Sequence, residues 1–135
     1  MPPERWRYTL LADPALWLAG GSYAFNRFFL KHWFPDNPWI IGQVDDFFLV
    51  PAALPVFLWV YWKLGLRCDD RPPRPLETLL HWIMWSLFFE WTGPHVLHHG
   101  VSDWKDVVAY GLGGMLAQIW WSLCSRFRPQ AVASN

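Results

Sequence analysis

The sequence predicts an all-α fold: a polytopic membrane helix bundle of about four short transmembrane helices, built as one domain over residues 1–128. Three observations predict it. Just over half of the 135 residues are apolar and 12 are tryptophan. The apolar residues gather into four segments separated by short polar connections. The lysines and arginines fall mainly on one side of the alternation that those segments create.

A soluble domain of this length, enough for one compact unit, has no core large enough to hide so much indole and phenylalanine. A bilayer accepts it, because its interfacial zones take Trp and Tyr at helix ends. Mean hydropathy is only slightly positive, since Trp, Pro and His score poorly and the charges bunch between the apolar runs. The formal net charge is zero, so no nucleic-acid footprint is implied. Two cysteines, Cys68 and Cys124, are too few for a disulfide scaffold.

The N-terminus has a faint signal-peptide look, with Arg5 and Arg7 before an apolar stretch. Asp13 and Pro14 break that stretch and no small-x-small cleavage site follows, so it is expected to be retained. The first apolar segment covers residues 14–34. Gly20, Gly21, Asn26 and Arg27 within it point to a tilted, interfacial or bundle-packed helix. The second covers residues 47–66 and holds Pro51 and Pro55, which should kink or interrupt it. The third covers residues 76–91, after a stiff RPPRP connection at 71–75. The fourth covers residues 106–124. Each is about 16–21 residues, or roughly 24–32 Å at about 1.5 Å per residue, close to what a span needs. Runs apolar on every face argue against a soluble bundle. Residues 129–135 are expected to form a disordered tail.

Orientation follows from charge. Arg5 and Arg7, then Lys63, Arg67, Arg71 and Arg74, then Arg126 and Arg128 lie on one side; Arg27, Lys31 and Lys105 lie on the other. The positive-inside rule places both termini and the middle loop in the cytoplasm of a bacterial cell. Both cysteines then face the reducing side as free thiols. Trp33, Trp39, Trp91 and Trp104 on the outer side, and Trp6, Trp62, Trp120 and Trp121 on the inner side, read as interfacial anchors.

The same topology collects the remaining polar groups on the outer side. Asp36, Asp45 and Asp46 lie in the first outer loop, Glu90 at the end of the third segment, and His95, His98, His99, Asp103 and Asp106 beyond it. Asp45, Asp46, Glu90, Asp103 and Asp106 are therefore candidates to line a pocket. Capping is the plainer account of Asp45 and Asp46, and of Ser102 and Asp103, because each pair precedes an apolar segment and free N–H groups attract such oxygens. Glu90 is harder to dismiss: an ionisable group at the hydrocarbon boundary needs a partner or water. His95, His98 and His99, with Glu90, Asp103 or Asp106, offer nitrogen and oxygen ligands for a divalent ion such as Zn²⁺. Three interfacial histidines bonded to loop backbone or water are the alternative, and no fixed motif such as HExxH is present. His81 stands alone inside the third segment and reads as a packing residue. Gly111, Gly113, Gly114 and Ala117 make a small-residue patch suited to a close helix contact, within the chain or in a homo-oligomer.

The last two segments resemble VanZ-like bacterial membrane proteins. The shared arrangement is an apolar helix ending in Glu90, then Pro94, then Ser102, Asp103 and Asp106, then a helix bearing Gly113 and Gly114, over residues 79–116. Gly93 stands where that family has Gln after the glutamate, and Tyr110 where it has Asn before the glycines. The stretch Asp-Trp-x-Asp-Val-x-x-Tyr at 103–110 is also similar to small bacterial membrane proteins. The resemblance implies a cell-envelope setting, the family being associated with low-level glycopeptide resistance.

Four functions follow as expectations. The leading one is an envelope protein, not an enzyme, whose outward acidic/His pocket binds a polar head group, an ion or an envelope precursor, with the bilayer as its partner and no resident cofactor beyond a divalent metal. A metal-assisted hydrolase would need a carboxylate base beside a His-bound ion. A transporter subunit would need oligomers, since four short helices enclose no path. A structural or assembly protein would use the acids as caps, and would leave them far apart.

Overall fold

A computed structural model of the chain describes residues 9–98 and 102–126. The described residues are helical throughout, with turns and no strand. After a single 3₁₀ turn (Leu10–Ala12), four helices follow: α1 (residues 14–33), α2 (Trp39–Lys63), α3 (residues 75–95) and α4 (Trp104–Arg126). Residues 1–8 and 127–135, including the predicted tail, lie outside the described residues.

Local chemistry sets each boundary. Asp13 caps α1, its Oδ1 accepting Ala15 N–H at 2.9 Å, and Pro14 sits where a helix has no use for an N–H. Asn37 caps α2, its Oδ1 accepting from Trp39 N at 3.1 Å and Ile40 N at 3.3 Å. The helix therefore starts eight residues before the expected position 47, and Asp45 and Asp46 lie two turns inside it instead of capping it. Gly65, at φ +76°, turns the chain after α2. Glu77 Oε2 accepts Arg74 N–H at 2.8 Å at the start of α3, with Pro75 next in line. Asp103 does cap α4, its Oδ1 accepting Lys105 N–H at 3.0 Å.

Pro51 and Pro55 do not interrupt α2, which runs unbroken through both. The reason lies in what packs there. Pro51 has no N–H for the carbonyl four residues back, which is that of Phe47. Gly113 of α4 presses against that freed oxygen: a Cβ built on Gly113 would stand 1.7 Å from Phe47 O. With a Cα–C bond of about 1.5 Å, the Gly113 Cα lies within about 3.3 Å of the oxygen, the range of a Cα–H···O contact. Gly114 faces Val50 and Thr78, and Gly111 faces the Trp82 ring, whose Nε1 donates to Val107 O at 2.9 Å. The small-residue patch thus seats α2 and α3 of the same chain.

Helix α2 packs against α1 on one side and α4 on the other, and α3 packs on α4. Leu10, Val50, Leu54, Leu58, Tyr110, Ala117 and Trp121 form the core. The outer surface is apolar: Trp17, Leu18 and Phe28 are 69%, 71% and 72% exposed, and Leu76, Leu87, Met115 and Leu116 are exposed as well. The interior instead holds Asp13, Asn26, Asp45, Arg67, Thr78 and His81. A water-soluble bundle distributes these groups the other way round. Two helices, Trp39–Lys63 and Trp104–Arg126, are long and apolar enough to cross a membrane. Cys68 and Cys124 are free thiols.

Candidate functional site

The bundle has an acidic end, where α1 and α3 finish and α2 and α4 begin, and a basic end holding residues 63–75 and Arg126. Three helices widen by one residue per turn at the acidic end, over Asn26–Leu30, Trp39–Gln43 and Phe88–Thr92. Such π-turns re-aim side chains and concentrate at functional sites. Each carries a polar residue inward: Asn26 toward Asp45, Gln43 toward Asp106 and Glu90 toward the start of α4.

Asp45 and Asp46 part company. Successive residues of a helix differ in direction by about 100°, so Asp45 faces α1 while Asp46 faces α4. Asp45 is buried and neutralised: Lys31 Nζ lies 2.6 Å from its Oδ2, and Asn26 Nδ2 donates to its Oδ1 at 2.7 Å and to Ile40 O at 2.9 Å. Asn26 is wholly buried. This group is a polar clasp between α1 and α2.

Asp46 meets different neighbours. Asp106 and Tyr110 of α4 lie close enough to act on its carboxyl. Tyr110 is buried and also lies within the electrostatic range of Asp106 and Glu90. Gln43 Nε2 donates to Asp106 Oδ1 at 3.0 Å. Glu90 Oε2 accepts Asp103 N–H at 2.5 Å, so α3 grips the start of α4. Asp46 and Glu90, far apart in the chain, are therefore both brought to the start of α4, Asp46 beside Asp106 and Glu90 on the backbone N–H of Asp103, and Asp45 is turned away. Among the described residues no lysine or arginine forms an ion pair with Asp46, Glu90, Asp103 or Asp106.

The histidines do not join them. His95 is exposed, its Nδ1 lying 3.0 Å from Trp91 O and its ring stacked on that indole. His98 is exposed in a left-handed turn at φ 51°. His99 lies outside the described residues. Among the described residues no three His, Cys, Asp or Glu side chains gather closely enough to hold a metal ion. His81 is buried between Phe57 and Tyr61, with Nδ1 on Glu77 O at 2.8 Å.

Two features of the basic end were not expected. Trp121 is not an interfacial anchor: it is fully buried and donates its indole N–H to Asp13 Oδ2 at 2.5 Å, while Trp120 donates to Oδ1 at 3.1 Å. Arg67 is also buried. It grips Glu77 with Nε at 2.8 Å and Nη2 at 3.1 Å, and donates to the carbonyls of Asp69, Arg71 and Pro72. Both are staples that close the bundle. Of the residues that sequence reasoning missed, Gln43 and Tyr110 matter most for the acidic cluster. The signal for Tyr110 was its spacing, four residues after Asp106, which puts both on one face of α4.

No family model, curated protein or solved structure matches the chain. What the arrangement offers chemically is a set of closely spaced carboxyl groups, a phenol and an amide, bordered by apolar helix surface. Such a set favours a positively charged or proton-donating guest.

Proposed function

We propose that the chain is a multi-pass protein of a bacterial cytoplasmic membrane, crossed by all four helices, with both termini cytoplasmic and the acidic end outside. Its function in this reading is to bind an organic cation, the ammonium of an envelope head group, at Asp46, Asp106, Glu90 and Tyr110. One observation carries it: the Asp46 carboxyl lies close to Asp106 and Tyr110, with Glu90 nearby, and among the described residues no lysine or arginine forms an ion pair with any of the three carboxyl groups. Carboxyl groups crowded at the edge of an apolar region are costly unless a positive partner or a proton joins them. The inside-out distribution of apolar side chains supports the membrane setting, as does the charge bias between the two ends. The resemblance to VanZ-like proteins supports an envelope role.

A structural reading also has its observation. Gln43 to Asp106 and Glu90 to Asp103 tie three helices together, so the carboxyl groups would then serve packing alone. Thermal unfolding of the detergent-solubilised protein in Na⁺, K⁺, choline and ethanolamine, at constant ionic strength, separates the two. A cation that occupies the site raises stability by about 2.7 kcal/mol at a hundredfold excess over its Kd, and Asp46→Asn with Asp106→Asn abolishes the rise. A protein indifferent to every cation, whose double variant is as stable as the parent, has carboxyl groups that only pack. Orientation has a natural probe in Cys68, which is exposed at the basic end. An impermeant maleimide should label it in inverted vesicles and not in intact cells.

A further inference from the structure

We propose that the groove between α3 and α4 seats one acyl chain of an anionic phospholipid from the leaflet at the basic end, with its phosphate on Arg126. This rests on the membrane orientation given above. The groove has a volume of about 710 Å³, and its walls include Thr78, Trp82, Gly111, Gln118, Ser122 and Arg126. Gln118, Ser122 and Arg126 follow one another at four-residue intervals, so they form one stripe down α4.

The polarity of that stripe changes with depth as a phospholipid does. At about 1.5 Å per residue, Ser122 lies about 6 Å below Arg126, Gln118 about 12 Å and Gly111 about 22 Å. A head-group zone is roughly 5–7 Å thick on each side of the hydrocarbon. Arg126 therefore stands at phosphate level and Ser122 at the level of the ester linkages. Below them Gln118 is neutralised inside the chain: Thr78 donates to its Oε1 at 2.5 Å, and its Nε2 reaches Ser122 Oγ at 3.2 Å. Deeper still the walls are apolar, with Leu79, Leu112 and Met115 exposed. Arg126 forms no ion pair among the described residues, so the open cation over an apolar slot complements an anion carrying a hydrocarbon chain. A second copy of the chain fits less well, because Gly113 and Ala117 of the small-residue patch are buried within the chain and do not line the groove. The neighbouring groove between α2 and α4 carries Gln43 and Lys105 over Phe47, Phe48 and Leu112, but it opens at the acidic end beside the Asp106 carboxylate that Gln43 holds, where an anionic phosphate is disfavoured.

The test is native mass spectrometry of the full chain in detergent with phosphatidylglycerol or phosphatidylcholine at equal mole fraction. The expected result is one phosphatidylglycerol per chain, retained about fivefold over phosphatidylcholine, the preference one arginine provides at an anionic surface. Arg126→Gln brings the ratio to about one and Arg126→Lys keeps most of it. Met115→Trp and Leu79→Trp, which fill the groove from opposite walls, each lower retention of both lipids, and two independent variants guard against one misfolding. Equal retention by the parent, or an unchanged preference in Arg126→Gln, overturns the proposal. A lipid-free dimer that Met115→Trp dissociates assigns the groove to a second copy instead. An alkaline carbonate wash of membranes distinguishes the two levels: a chain that washes off defeats the membrane reading, and one that stays without lipid preference defeats the groove alone.

Discussion

Gly113→Ala tests the packing of α2 on α4 at its tightest point. The added Cβ would stand 1.7 Å from Phe47 O and 2.8 Å from the carbonyl carbon, both backbone atoms that cannot rotate away. A carbon and a carbonyl oxygen come no closer than about 3.3 Å at ease, so the helices must separate locally by about 1.5 Å. Overpacking of this kind costs about 1–3 kcal/mol, and the rigidity of the obstacle places Gly113→Ala at the upper end, about 3 kcal/mol. The movement also draws Asp106 on α4 away from Gln43 and Asp46 on α2, so cation-dependent stabilisation falls with it. Gly20→Ala is the control. No atom lies within 4 Å of its Cβ position, and a helical alanine gains up to about 1 kcal/mol over glycine. Reversible unfolding in mixed micelles with increasing dodecyl sulfate measures both. The two substitutions should move stability in opposite directions. If Gly113→Ala were as stable as the parent, the contact between Gly113 and the carbonyl released by Pro51 would not exist as described.

Further substitutions probe the clasps at the two ends, each read by the same unfolding assay. Arg67→Met strands Glu77 and three loop carbonyls and should cost about 3–5 kcal/mol, as removal of one partner from a buried ion pair does; a loss under 1 kcal/mol would mean that water reaches the loop. Trp121→Phe keeps most of the ring packing but removes one N–H from the buried Asp13 carboxylate, with an expected cost of about 1–3 kcal/mol; Trp120→Phe, at a half-exposed ring, should cost less. Lys31→Met leaves Asp45 with Asn26 as its side-chain partner among the described residues and should cost about 3 kcal/mol, most of it recovered in Lys31→Met with Asp45→Leu; simple additivity in that double-mutant cycle would show that the pair is not coupled.

Much of the architecture was legible because it depends on local patterns. The four apolar runs, the Asp13–Pro14 boundary and the Asp103 cap each follow from residues within one or two turns of one another. The start of α2 was misplaced for a local reason too: the WIIGQ stretch looks loop-like beside the aspartates, yet Asn37 caps it and its wide turn carries Gln43 inward. The prolines misled because their effect depends on what meets the carbonyl they release. For Phe47 that is Gly113, 66 residues further along the chain.

The acidic cluster divides in the same way. That Asp45, Asp46, Glu90, Asp103 and Asp106 lie at one end of a helix bundle follows from sequence alone, since the alternation of apolar runs and short connections sorts them there. Which of them meet was a decision of the tertiary structure. Asp45 and Asp46 are neighbours in sequence with the same chemistry, yet one is paired with Lys31 and the other faces Asp106 and Tyr110. Composition and spacing determine the helices and the face each side chain occupies. Only the packing of α1 and α4 on opposite sides of α2 determines what stands across from that face, because those contacts join segments whose separation along the chain leaves no local trace.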